Sequence, residues 1–533
     1  MKRFITSIVF TAALSSAIIF SQSSPVEKGL KAINQDVLKA QLGFLASDWT
    51  EGRETGQRGE YISSDYIASM LQLYGVKPGG DYPQSRGFPA VRRGNERTYF
   101  QNFVLLKSSP GKEHILKLKS TEGISVKTNN FTYNVDFTIR PYDSGVEIEA
   151  PIVFAGYGFK NDKLKYNDFS KLEVKGKFIL KISGTPGFAR ETLSPAELSA
   201  ASAEMENLVL SLGAVGIIEF NPKSTTVGNP ERKDFMNLSP SENNPGSGRP
   251  YARYSIPARM NRDNLIRVVI SVKTANEILK GSGIKLDDYI KRADSKPPDA
   301  VPALTGKSIY FKSSVEITSV AVRNVIGVIE GNNPDQIIVL GAHYDHMGTL
   351  NGYIWNGADD NASGTVGVMT LARAIIETGI KPDKTIIIAL WTAEEQGLLG
   401  SRYYVDNMAY PIKNLRLNFN FDMISRYIAD DDKNKVIMTY SASRPEFTGI
   451  TEDNLRKYDI DLKVEYQPSN DPTGGSDHRS FVAAGIPIMR FKPGHREEYH
   501  TPGDETNTVN FDIMEKIVKI SFVNIWELAN SKW

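Results

Sequence analysis

In the carboxyl-terminal half of the chain, short apolar runs alternate with segments of helical spacing, and several of the runs end in a charged cluster. From Lys307 the order is SVEITSVAVRNVIGVIEG, the run Gln336 to Leu340, TIIIALWTAEE, NLRLNFNFDMIS, KVIMTYS and GIPIMRF. Helical segments lie between and after them: one following Ser363, where Val366, Met369, Ala372 and Ile376 recur at helical spacing, then Ser401 to Asn407, Glu446 to Tyr458 and Asp512 to Leu528. This strand–helix rhythm predicts an α/β sheet covered by helices on both faces. Upstream, Leu38, Leu42, Phe44 and Leu45 form one helical stripe and Tyr61 to Leu73 a second, closed by Tyr74-Gly75, with the polar loop SDWTEGRETGQRG between them. Residues 78–98 read as irregular and exposed.

From about Gly145 the pattern changes. EIEAPIVFAGYG, KGKFILKISG and GAVGIIEF are short β-branched runs bounded by glycine, with a helix over Glu197 to Leu212, and together they predict a small β-rich domain. Residues 221–250 are poor in apolar side chains and read as a long surface loop. A helical segment beginning with Thr274 to Leu279 then leads to the linker SKPPDAVPALTG. The expected organisation is a leader at 1–22, a first segment of the main domain at 23–145, an insertion at 146–295 and the rest of the main domain at 305–533.

A chain of 533 residues is too long for one ordinary core, which agrees with this division. Its 63 basic and 62 acidic residues give a net charge of +1, so no bulk electrostatic attraction to nucleic acid or to anionic membrane is expected. The first 22 residues have two basic residues, an apolar run from Phe4 to Phe20 containing five Ser or Thr, and a polar stretch before Pro25. That layout predicts a secretory signal peptide and a secreted or periplasmic product, with no stable membrane insertion after cleavage. There is no cysteine, which excludes thiolate zinc sites and a thiol nucleophile; any metal must be held by histidine and carboxylate.

The charged residues that follow the apolar runs supply such ligands. His343 and Asp360 follow Gln336 to Leu340, Glu394 and Glu395 follow TIIIALWTA, Asp422 follows LRLNFNF, and His500 lies in the loop EEYHTPGDET. Five of the six histidines fall between 343 and 500. Singly, each residue has an ordinary reading as a turn, a helix cap or a solvated face. Their shared position is informative, because a charge directly after a buried strand needs a partner. Zinc takes nitrogen and oxygen ligands of this kind, and six such residues suffice for a pair of ions with one carboxylate left as a base.

The motifs HYDH, GADDNASG, WTAEEQGLLGS, NFDM, GSDHRSF and YHTPGD, in this order, resemble the motif set of metallopeptidase family 28, the co-catalytic zinc aminopeptidases and their relatives. The resemblance implies a mixed central sheet flanked by helices and a centre of two Zn2+ ions. It makes Asp360 the bridging ligand, with His343 and Asp422 completing one site and Glu395 and His500 the other. Glu394 becomes the general base and Asp345 the acid that orients the His343 ring. Asp477, His478 and Tyr499 lie in matching motifs, as expected substrate-binding residues. Residues 146–295 resemble the protease-associated domain inserted in such enzymes, through GYGF, YNDFSKLEVKGKFILKISG and GAVGIIEF.

The expected function is therefore a secreted zinc exopeptidase acting on peptides or proteins. A site rich in carboxylates suits a free α-amino group, which favours an aminopeptidase over a carboxypeptidase. Arg479, Arg490, Lys492 and Arg496 are the bases near the site motifs in sequence. A glutaminyl cyclase or a non-catalytic binding ectodomain of the same fold is disfavoured by the intact ligand set and by Glu394.

Overall fold

The computed structural model describes residues 23–83, 96–139, 145–224, 227, 252–259, 265–297, 304–350, 352–427, 432–472, 474–494 and 496–533. The leader at 1–22 and almost all of the 221–250 loop lie outside the described residues.

Among the described residues, sixteen strands join in one sheet. Its main strands are β1 (Phe100–Glu122), β2 (Phe137–Ile139), β3 (Val146–Phe154), β4 (Phe178–Ile182), β5 (Gly216–Phe220), β6 (Ile266–Ile270), β7 (Lys307–Ile329), β8 (Asn333–His343), β9 (Lys384–Trp391), β10 (Leu415–Asn420), β11 (Lys435–Ser441), β12 (Lys463–Ser469) and β13 (Ile488–Lys492). Across the sheet they run β12-β11-β13-β10-β8-β9-β7-β3-β4-β5-β6-β2, with β1 paired to β7. β8 is parallel to both β9 and β10, and β10 to β13, whereas β7 is antiparallel to β9, β3 and β1. The sheet is thus mixed and helix-flanked, as expected.

The middle of the sheet is buried on both faces, so its strands are apolar without alternation. Ile337 to Leu340 in β8 and Ile386 to Leu390 in β9 are fully buried. Helices Gln35–Leu45, Arg58–Leu73, Gly364–Glu377 and Phe511–Asn530 bring Leu38, Leu42, Ile67, Met369, Ile517 and Phe522 into the same core. Both upstream helices lie where the sequence placed them, and the second ends at Gly75, whose φ of +84° only glycine adopts without strain.

A second core forms around β3 to β6 and holds Ile152, Phe154, Phe178, Leu180, Ile218 and Val268. It also takes Leu116, Leu118 and Phe137 from before residue 146 and Leu304, Ile309 and Phe311 from after residue 295, so its packing extends beyond the 146–295 segment on both sides. The link is the ribbon of β1 and β7, each 23 residues long, whose register runs from Val325↔Phe100 beside the first core to Lys307↔Ser120 beside the second. The Pro110-Gly111 pair in β1 carries the sequence signature of a turn, yet the pairing continues through it with one irregularity opposite Ser313 and Val315. β12 is likewise a strand without an apolar signature, because its side chains sit at the exposed edge of the sheet.

Candidate metal centre

The three adjacent parallel strands β10, β8 and β9 end together, and this shared carboxyl edge gathers the chemistry. β8 terminates in His343. β9 is followed by Ala393, at φ +54°, and then by Glu394 and Glu395; β10 is followed by Asp422 and by Met423, at φ +59°. Asp360 arrives from the segment Ala358–Ser363 that precedes helix Gly364–Glu377, and His500 from the loop after β13. The start of that helix is held by Asn361, whose side-chain oxygen accepts the Gly364 N–H at 2.9 Å and the Met423 N–H at 3.2 Å. Gly357 allows the close approach: a Cβ there would lie 2.1 Å from the Asp360 carbonyl and 2.5 Å from the His346 ring.

All six expected ligand and base residues converge. Asp360 lies between the two imidazoles, with Oδ1 3.4 Å from His343 Nε2 and Oδ2 2.9 Å from His500 Nε2. His343 Nε2 is also 3.8 Å from Asp422 and 4.0 Å from Glu394, while His500 Nε2 is 3.5 Å from Glu395. Two sets of donor atoms, His343–Asp360–Glu395 and His343–Glu394–Asp422, each lie within 4.8 Å of one another. Four carboxylates and two imidazoles this close, almost wholly out of water, are the donor set of a cation site with oxygen and nitrogen ligands.

The electrostatics agree. Burial would lower the His343 imidazole, but Glu394, Asp360 and Asp422 hold it well above its ordinary value. Burial likewise opposes protonation of His500, yet Glu395 and Asp360 raise it to about 10. Burial disfavours the charged forms of Asp422 and Glu395 as well; His343 holds the first at about 2, and His500 and His346 hold the second at about 2. The ligand carboxylates thus stay ionised, and without metal the imidazolium protons supply the positive charge. Glu394 behaves differently: burial, together with Glu395, Asp477 and Asp422, pushes it well above the carboxylate range despite His343. It is the carboxylate of the set with the raised proton affinity.

Asp345 meets the His343 ring chiefly through its backbone. His343 Nδ1 donates to the Asp345 backbone carbonyl at 3.2 Å, and the carboxylate stands 3.8 Å away. The carboxylate instead accepts the backbone N–H groups of Glu394 at 3.0 Å and Glu395 at 3.3 Å and the Thr55 hydroxyl at 3.1 Å, so it fixes the turn that presents both glutamates. Asp477 and His478 are fully buried beneath the site, whereas Tyr499 is 39% exposed and stacks on His500 with ring centroids 3.8 Å apart. Of the three expected substrate contacts, only Tyr499 reaches the surface.

Several supporting residues escaped the sequence reading. His346 Nδ1 lies 2.9 Å from Glu395 Oε1. Asp504 accepts the backbone N–H of Asp359 at 3.0 Å and of Asp360 at 3.0 Å and pairs with Arg426 at 3.1 Å. Asp359, the other member of the Asp-Asp pair, turns away from the imidazoles and accepts the Ser425 hydroxyl at 2.7 Å. The buried Arg53 guanidinium donates to the carbonyls of Tyr344, Asn356 and Gly357, joining the loops that carry His343 and Asp360. Asp504 and His346 sit inside the recognised motifs, and Arg53 sits in the SDWTEGRETGQRG loop of the amino-terminal stretch that also resembles the family; Arg426 has no such signal.

Comparison with known proteins gives the same reading. The sequence profile of Peptidase family M28 matches residues 324–524. Leucine aminopeptidase 2 of Arthroderma otae is 35% identical over 247 residues, covering 42% of this chain and 48% of that protein. Leupeptin-inactivating enzyme 1 of Streptomyces exfoliatus is 30% identical over 171 residues, covering 31% of this chain and 34% of that protein. The chain therefore spans less than half the length of these relatives. Among solved structures, the aminopeptidase from Aneurinibacillus sp. strain AM-1 superposes with a TM-score of 0.56 at 19% identity, over 95% of this chain and 97% of that one, a likeness of fold. The match covers every motif of the site from HYDH to YHTPGD, and over residues 324–524 this chain is similar to peptidase family M28.

Proposed function

We propose that this protein is a zinc aminopeptidase that removes residues from the free amino end of peptides, with two Zn2+ ions in the centre described above. The observation that carries the proposal is the Asp360 carboxylate set between His343 and His500, each with its own further acid, Asp422 on one side and Glu395 on the other. In this reading His343, Asp360 and Asp422 hold one ion and Asp360, Glu395 and His500 the second. Bound zinc supplies Lewis-acid polarisation of the scissile carbonyl and lowers the pKa of water. Glu394 accepts the proton of the attacking water and delivers it to the departing amine, the task for which its raised proton affinity fits it. Asp345 keeps Glu394 in place through its backbone amide. The acid-rich rim attracts the substrate's α-ammonium group, and Tyr499 forms part of the wall beside His500.

Export through residues 1–22 and a protease-associated role for the lobe built on β3 to β6 belong to the same proposal. That lobe would tune access by peptide length without touching the chemistry. Among the described residues no helix is long and apolar enough to cross a membrane. The deciding experiment compares a peptide with its N-acetylated and C-amidated forms on the zinc-loaded enzyme. Acetylation should abolish cleavage and amidation of a long peptide should change little; the reverse pattern would make the protein a carboxypeptidase. Elemental analysis of active enzyme should give about two zinc ions per chain.

A further inference from the structure

β13 lies next to β10, in parallel, with Asn418↔Ile488 and Phe419↔Met489 in register. Within β13, Met489 and Phe491 enter the main core, so Arg490 and Lys492 project from the opposite face. Continuing the parallel register beyond Phe419 brings Lys492 level with Asp422, a ligand of the proposed centre. Gly474 marks the other side: a Cβ on it would lie 3.5 Å from the His478 ring and 3.9 Å from Arg490 Nη1. Arg490 and Lys492 thus form a cationic step at the carboxyl edge of the sheet, between the Asp422 ligand and the GGSDH turn.

Neither cation is paired. Among the described residues neither makes a hydrogen bond or an ion pair, and Arg490 Nε is buried with no partner. Burial lowers the proton affinity of both, and Asp422 is the first opposing charge for each. That compensation weakens when the centre is loaded, because the ligand carboxylates, Asp422 among them, are then neutralised by the divalent ions. Two half-buried cations without a counter-charge are costly, and a planar guanidinium beside an ammonium is suited to a carboxylate.

Resting on the reading of the site as a zinc aminopeptidase, we infer that Arg490 and Lys492 form an anion subsite and that the preferred substrates carry a carboxylate within one residue of the scissile bond. That carboxylate has two sources, the side chain of an acidic amino-terminal residue or the free carboxyl end of a dipeptide.

The test uses the full zinc-loaded chain and four substrates: Glu-Ala-Ala amide against Gln-Ala-Ala amide, and Leu-Gly against Leu-Gly amide. In at least one pair kcat/KM should favour the carboxylate by tenfold or more, and the pair that does so identifies the source. Arg490→Gln and Lys492→Gln should each cut that ratio by about tenfold; a ratio within one variant cancels any general loss of activity. Ratios near one in both pairs, or a preference unchanged in both variants, would overturn the inference. Calorimetric titration with glutamate against glutamine, and with glycine against glycinamide, reads the same preference without turnover. If none of the peptides is cleaved, the aminopeptidase reading falls, and the calorimetric preference and its loss in Arg490→Gln then decide the anion subsite separately.

Discussion

Asp504 touches neither imidazole, yet its removal should weaken the metal centre. Its carboxylate accepts two adjacent backbone amides, Asp359 N–H at 3.0 Å and Asp360 N–H at 3.0 Å, and binds Arg426 at 3.1 Å, all out of water. Asp504→Ala leaves both amides unsatisfied, at about 1–3 kcal/mol each. It also leaves Arg426 with Asp359 at 3.9 Å as its remaining acid, and breaking a buried pair costs about 3–5 kcal/mol. The two estimates describe the same event from its two ends and are not added; the segment that presents Asp360 is destabilised by about 4 kcal/mol. Loss of an outer partner of a metal ligand typically lowers affinity by about 10–100-fold, or roughly 1.4–2.8 kcal/mol, so about half of the local cost should reach the ion. Zinc affinity measured by competition with a fluorescent chelator, alongside circular dichroism to verify the fold, reads this directly. Asp504→Asn, which keeps one acceptor oxygen, should fall between wild type and Asp504→Ala. A folded Asp504→Ala protein with wild-type zinc affinity would refute the reasoning.

Glu394→Gln should keep its metal and lose about two to four orders of magnitude in kcat, whereas Glu395→Gln should lose metal; elemental analysis and turnover of the two variants separate base from ligand, and the opposite pattern reverses the assignment. His346→Ala removes the 2.9 Å contact to Glu395 and should lower zinc affinity by about tenfold with little change in fold; unchanged binding would make His346 a packing residue. In the second lobe, burial raises Asp168 from 3.8 to about 6, although Tyr166 and the Phe159 N–H both donate to it. Because the folded value is the higher one, the protonated carboxyl stabilises the lobe fully below about pH 4, and that contribution is lost as pH rises through about 6. Relative to Asp168→Asn, the wild type should lose about 2 kcal/mol between pH 4 and pH 7, and the difference in Tm between the two proteins should shift accordingly. A difference in Tm that does not vary with pH would contradict the assignment.

The parts of this protein that were legible from sequence share one physical property. His343, Glu394, Glu395 and Asp422 are charged or ligating side chains set directly after runs such as Ile337 to Leu340 and Ile386 to Leu390, which are buried along their whole length. A charge at that boundary must meet a partner, and the contrast is visible in one dimension. The Asp-Asp pair was harder, because composition does not distinguish its two members. The resemblance favoured Asp360, and the fold separates them by what they face, the imidazoles for Asp360 and Ser425 for Asp359.

The β1 half of the β1–β7 ribbon stayed hidden because it spans two cores, burying Leu105 in one place and Leu116 in another around a half-buried Pro-Gly pair, so no single periodicity runs through it. Asp345 misled for a related reason. The resemblance made it the acid that orients the His343 ring, but the backbone carbonyl accepts from the ring and the carboxylate binds two amides some fifty residues away. Asp504 and Arg53 act on amides and carbonyls in the same way. Every residue offers a carbonyl and nearly every residue an amide, so a side chain that finds one at long range leaves no mark in the sequence of its partner. The ligands of such a centre can therefore be read in one dimension, while most of what aims them becomes visible in three.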